Sequence, residues 1–180
     1  MNKKKFNWLK TELIVAFSAI LISLCSLVVS IYESSIIREH QRASVWPNID
    51  FGKNINHSSG FTYIVKNSGI GPAKINYINF WLEDELITSY ETLVKHVSDS
   101  TEVGYFCGTV TGVVLLPSEI IEIFGIKDMD AALRMNTLNK KMSVELSYCS
   151  IYDECWVLNE EGRNQIDKIE SDRQTFLCTS

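Results

Sequence analysis

Twenty consecutive residues without a charge, Leu13 to Tyr32, 16 of them apolar, constrain this chain more than any other feature. At 1.5 Å rise per residue, a helix of about 20 residues covers about 30 Å, the thickness of a bilayer's hydrocarbon core. Helices buried in soluble domains rarely run so long without a charge, so a single transmembrane helix over 13–32 is expected. Trp8 and Tyr32 stand where interfacial aromatics belong, and Lys10 and Glu12 set the N-terminal boundary. A cleaved signal peptide would share the basic start Lys3, Lys4 and Lys5, but its apolar region is normally about 7 to 15 residues and would end in an A-x-A site. No such site follows here, and in Ile22-Ser23-Leu24-Cys25 a leucine occupies the small-residue place of a lipoprotein box.

The rest of the chain differs in character. Residues 1–42 hold 6 Lys/Arg against 3 Asp/Glu, and residues 43–180 hold 11 against 19, so a +3 foot and a −8 body sum to the net −5. The mean hydropathy of +0.02 is thus an average over two unlike parts. This balance disfavours a nucleic-acid binder, a disordered protein and a coiled coil. Four lysines precede the span (Lys3, Lys4, Lys5 and Lys10) and only Arg38 and Arg42 follow it closely, which favours a cytoplasmic N-terminus and a body outside; a cytoplasmic body is the alternative.

Ala16, Ala19, Ser23, Ser26 and Ser30 recur at spacings of three and four, which places five small residues on one stripe of the span. Such a seam lets two membrane helices approach closely, so homo-oligomerisation through it is one expectation. The other is that each serine bonds back to the carbonyl four residues earlier.

Composition from Glu33 to Ser44 stays helix-compatible, predicting a stalk (33–45) that ends before Pro47. The expected layout is a basic segment (1–12), the span (13–32), the stalk and a body (46–180). Short β-type runs follow at 48–51, 61–66, 75–82, 105–115, 120–126, 142–149 and 155–158. They predict a mainly β body, an immunoglobulin-like β-sandwich carrying one or two short helices. One helix would open on the capping box Thr88-x-x-Glu91, with Leu93, Val94 and Val97 on one side. A second would be capped by Asp128 or Asp130, run through Ala131, Leu133 and Leu138, and end at Lys140-Lys141. Residues 160–180 are left open; the pattern of Ile166, Ile169, Phe176 and Leu177 is compatible with a helix followed by a final strand.

Candidate chemistry is sparse. The segment from Asn67 to Ala73 (NSGIGPA) is glycine-rich, but it precedes a strand and not a helix, so it reads as a strand-to-strand turn and not a phosphate cradle. Gly69 and Gly71 are expected at positive φ there. His40, His57 and His96 are scattered, with no metalloprotease or hydrolase motif, so no catalytic residue, metal or cofactor is expected. Glu83-Asp84-Glu85 reads as a solvated hairpin turn, with cation binding as the alternative, and Trp46, Trp81 and Trp156 as core or sheet-face aromatics; with a short stalk, Trp46 beside Pro47 would instead touch headgroups.

Four cysteines lie in the body. Cys149 and Cys155 fall on two arms of a hairpin and would oppose one another across Ile151-Tyr152-Asp153, a placement that a disulfide accepts. Cys107 and Cys178 would then pair or stay free. In a cytoplasmic body all four would be buried thiols.

Four segments carry a family likeness: His40 to Pro47 (HQRASVWP), Asn67 to Ala73, Pro117-Ser118-Glu119, and Tyr148 to Trp156 (YCSIYDECW). In these the chain resembles an uncharacterised group of small bacterial single-pass membrane proteins with a β-sandwich body. It departs at Asp153, where glycine is expected. The resemblance implies a bacterial inner-membrane setting and no catalytic residues. Besides the lipid bilayer, an unidentified protein partner is expected, in a binding or sensor role; a self-associating stress or phage-defence effector is the alternative.

Overall fold

A computed structural model describes residues 3–83, 85–98, 103–167 and 178. Asp84, Ile169, Phe176 and Leu177 lie outside the described residues, as do the side chains of Lys3, Lys4, Lys5, Trp8 and Lys10. The chain divides into two units, Met1–Ala43 and Ser44–Ser180.

The first unit is one helix, α1 (Lys3–Ala43). Its 33 residues Thr11–Ala43 form a segment long and apolar enough to cross a membrane, with no residue of it buried in protein. Span and stalk are therefore a single rod with no break at Tyr32. The helix ends at Ala43, short of the expected Val45, because the following residues are already bonded into the body: the Trp46 carbonyl accepts from the N–H groups of Ile70 and Gly71 at 3.1 and 3.3 Å.

Among its described residues the second unit has ten strands: β1 (Ile49–Asn56), β2 (Gly60–Asn67), β3 (Ala73–Leu82), β4 (Glu85–Ile87), β5 (Tyr105–Cys107), β6 (Val114–Leu115), β7 (Ile120–Ile126), β8 (Met142–Cys149), β9 (Cys155–Asn159) and β10 (Gly162–Ile166). One sheet has the order β1-β2-β7-β5 and the other β10-β9-β8-β3-β4, with β6 also on β3. Every pairing is antiparallel. In the A-to-G lettering of immunoglobulin domains these are A-B-E-D against G-F-C-C′, the expected sandwich, with β10 added beside G. Two helices complete it, α2 (Tyr90–Lys95) and α3 (Met129–Leu138).

Alternation along the strands builds the core. On β3, Ala73 and Ile75 face inward; the bulge at Asn76 shifts the parity, so Ile78 and Phe80 face inward after it. Phe80 meets Tyr63 of β2 at a ring separation of 5.5 Å and Phe51 of β1 at 5.9 Å, which joins the two sheets. Tyr90 of α2 stacks on Phe124 of β7 at 4.9 Å. The Tyr63 hydroxyl donates to Asn139 Oδ1 at 2.5 Å.

Burial raises the pKa of Tyr63 and Tyr90, and for Tyr63 the neighbouring Tyr90 adds to the rise. The sign follows: above about pH 10, the ordinary tyrosine value, the unfolded chain loses phenolic protons that the folded one keeps, so stability falls as pH rises. Urea melts from pH 8 upward are expected to show a level midpoint and then a decline. Tyr90→Phe should flatten that decline, and an unchanged slope would contradict the assignment.

Several expectations are corrected. The run 105–115 is not one strand: β5 belongs to the first sheet and β6 to the second, and the chain crosses between them through Gly112, at φ +79°. The cap of α2 is Ser89, which accepts from the Thr92 N–H at 3.2 Å, and not Thr88. Asp128 caps α3, accepting from Ala131 N–H at 2.8 Å. Leu133 does not share the buried face of that helix. At about 100° per residue it lies opposite Ala131 and Met135, which with Ala132 are the buried ones. Lys140 and Lys141 fall in a short 3₁₀ turn, Asn139–Lys141, after α3. In the segment left open, residues 162–166 are strand.

Candidate functional site

The face of α1 and one end of the sandwich are the two places where sequence features converge. Ala16, Ala19, Ser23, Ser26 and Ser30 are exposed on α1. Helix geometry puts them within an arc of about 80°. The Ser23 hydroxyl donates to the Ala19 carbonyl at 2.8 Å, and Ser18 does the same to Ile14. The Ser23 proton is thus held within its own helix, as back-bonding requires.

At the sandwich end where the chain arrives at Ser44, hydrogen bonds converge on one buried side chain, Asn67. Its Oδ1 accepts from the N–H groups of Asn48 (3.3 Å) and Gly69 (3.0 Å). Its Nδ2 donates to the carbonyls of Gly71 (2.8 Å) and Leu115 (3.1 Å). Its backbone N–H donates to Glu119 at 2.9 Å and its carbonyl accepts from Ser118 at 2.8 Å. All the hydrogen-bonding capacity of the amide is used, and two separate segments, at Asn48 and at 115–119, are tied to this turn. Glu119 closes its own turn by accepting from the Leu116 N–H at 2.7 Å.

This turn corrects the reading of its glycines. Positive φ occurs at Gly60, Gly112 and Gly162, and not at Gly69 or Gly71. Glycine is needed for proximity instead: a Cβ on Gly71 would fall on the Val45 carbonyl, and one on Gly69 on the backbone of Trp46 and Asn48. The two glycines let the incoming chain lie flat against the turn.

Beside it, Trp46 packs on buried Trp156 at 5.2 Å, and Trp156 stacks on Tyr148 at 5.5 Å, while Trp81 is half-buried on β3. The Tyr148 hydroxyl is held up in pKa by burial, offset in part by the Arg163 guanidinium. Arg163 donates to the Ile49 carbonyl at 2.9 Å and lies 3.7 Å from Asp50, so β10 is clipped to β1 across the open side of the sandwich. Ser68 Oγ also donates to the Asp50 carboxylate.

Cys149 and Cys155 are bonded to each other, directly opposed on β8 and β9 with Cα atoms 4.0 Å apart. Ser150 N–H donates to the Glu154 carbonyl at 2.8 Å, leaving Ile151-Tyr152-Asp153 as the loop. Asp153 takes φ +59°, the left-handed backbone that aspartate tolerates. Cys107 is bonded to Cys178, with Cα atoms 5.8 Å apart.

Elsewhere the polar groups serve structure. Glu83, at φ +57°, pairs with Lys141 Nζ at 3.0 Å, and Glu85 begins β4. His96 sits 2.8 Å from the Thr92 carbonyl, His57 lies in the β1–β2 turn and His40 on α1, so the three share no site. No group of three metal-ligating side chains gathers among the described residues. An open cleft of about 630 Å³ is lined by Gly104, Tyr105, Phe106, Glu122, Lys127 and Asp128. Its charged side chains are exposed, and that of Asp128 is engaged as the α3 cap.

Comparison with protein-family models, with curated proteins and with solved structures finds no match.

Proposed function

We propose that this is a membrane-anchored, non-catalytic binding or sensor module of the bacterial envelope, crossing the inner membrane once and presenting its sandwich outside the cytoplasm. One observation carries the reading: a helix able to span a bilayer leads within a few residues into a cystine-bearing sandwich. Disulfides persist in oxidising compartments, which agrees with the excess of lysines before the span. The protein partner is recognised by the sandwich, and the lipid bilayer holds the anchor.

Orientation is tested in spheroplasts with a membrane-impermeant maleimide. The four body cysteines should label only after reduction and mild unfolding, without lysis. Labelling that requires lysis overturns the proposed side. Function is tested by controlled expression. Harmless expression fits the module. Growth arrest or dye leakage that disappears in Ser23→Leu/Ser26→Leu would instead establish a self-associating effector.

A further inference from the structure

Strand directions give the sandwich two ends. At the tether end, the segments 44–48, 68–72, 116–119 and 150–154 lie together; at the far end lie 57–59, Glu83 and Glu85, 127–141 and 160–161. Eight large hydrophobic side chains of the described sandwich residues are exposed, and seven are at the tether end. Five stand on its loops: Trp46, Ile70 (65% exposed), Leu116 (60%), Ile151 (58%) and Tyr152. Val114 and Ile120 stand on the first strand rungs behind them, and only Leu133, on α3, lies elsewhere.

Charge follows the opposite gradient. The tether-end loops contain no lysine or arginine; their acids are Glu119, Asp153 and Glu154. Two exposed lysines stand just behind the apolar tips, Lys66 paired with Ile120 and Lys74 paired with Val114. The far end bears charges of both signs, among them Glu83, Lys127, Asp130, Lys141 and Glu161. Single exposed hydrophobics are ordinary, but their collection at one end is not.

We propose that the tether end is a lipid-contact surface. Its loops place Trp46, Ile70, Leu116, Ile151 and Tyr152 in the headgroup layer of the bilayer that α1 crosses, and Lys66 and Lys74 reach the phosphates. Trp and Tyr favour that layer, and lysines behind an apolar rim extend toward phosphate. Chain continuity selects the bilayer over other occupants. Trp46 is three residues beyond Ala43, a reach of at most about 11 Å, so the tether holds this end near the membrane and makes the contact intramolecular. Upright, the stalk from Glu33 to Ala43 would be about 16 Å long against a headgroup layer of about 5 to 8 Å. The reach of about 11 Å from Ala43 to Trp46 spans that difference without a break in α1, and Ile36 and Ile37 give the stalk apolar side chains near the interface.

This inference rests on the reading that α1 spans the bilayer, and the experiment separates the two. The full chain is reconstituted in phosphatidylethanolamine/phosphatidylglycerol vesicles containing brominated phospholipid. Tryptophan emission is compared with that of Trp46→Phe, so the difference reports Trp46 together with its contact with Trp156, free of Trp8 and Trp81. Loss of that difference emission is expected with bromine near the headgroups, and Ile70→Asp/Ile151→Asp, changed at exposed positions, should restore it. An unquenched Trp46 in a chain that resists alkaline carbonate extraction overturns the contact and leaves the span standing. Release by carbonate overturns both. Quenching indifferent to the Ile70/Ile151 change also overturns the proposal, as does shielding of Trp46 that appears only as copies per vesicle rise, which would mark a second copy as the occupant.

Discussion

Asn67→Ala is expected to lower the stability of the sandwich by roughly 3 to 5 kcal/mol, a large share of the roughly 5 to 15 kcal/mol that holds a domain folded. The substitution removes two donors from the buried carbonyls of Gly71 and Leu115 and the acceptor from Asn48 and Gly69. A cavity too small to rehydrate all four groups would leave some without partners, and each buried orphan costs about 1 to 3 kcal/mol. Asn67→Asp should be no rescue, because it keeps the acceptor and turns a carboxylate toward two carbonyls. Ser68→Ala, at an exposed neighbour in the same turn, should change stability by about 1 kcal/mol or less. Urea denaturation of the detergent-solubilised chain, followed by tryptophan emission, compares them, since Trp46 and Trp156 pack beside this turn. Equal effects of Asn67→Ala and Ser68→Ala would remove Asn67 from its central place.

That centre shows where sequence reading stops. An asparagine followed by glycines announces a local turn, and the local bonds to Gly69 and Gly71 are of that kind. The bonds to Leu115, Ser118 and Glu119 join residues some fifty positions away, and no local pattern encodes them. The same limit explains the strands. Runs such as 61–66 and 142–149 were legible because apolar residues recur at every second position, Phe61, Tyr63 and Val65 in one and Met142, Val144, Leu146 and Tyr148 in the other. β10 (GRNQI) is a polar edge strand with no alternation to read, and β4 has only three residues. The error over 105–115 had a visible signal, since Gly108 and Gly112 interrupt the run at the crossing between sheets. For α3, Leu133 was placed with Ala131 although two residues on a helix are about 200° apart. The hairpin at Cys149 and Cys155 was legible because both its turn and its opposed cysteines are local. The clustering at the tether end was not, because Trp46, Ile70, Leu116 and Ile151 come together only once four loops share one end of the sandwich.

Removing Cys107 and Cys178 together should destabilise the sandwich more than removing Cys149 and Cys155. The bonds differ in the chain they close: a separation of 71 residues against 6. The entropy withheld from the unfolded chain grows with the logarithm of that number, which gives about 4 kcal/mol for the long loop and about 2 kcal/mol for the short one. The short bond adds little because β8 and β9 already pair through a tight hairpin, whereas the long one fastens Cys178 to β5, an edge strand of only three residues. Cys107→Ala/Cys178→Ala should therefore melt at markedly lower urea than Cys149→Ala/Cys155→Ala. Adding a reductant to the unmodified chain should lower its midpoint below that of either pair variant. The comparison also bears on the compartment. A sandwich that works outside the cytoplasm gains this stabilisation after export, so chain retained in a reducing cytoplasm should be the protease-sensitive fraction. Equal midpoints for the two pair variants and the unmodified chain, with and without reductant, would show that neither bond contributes and would withdraw the support they give to an outside location.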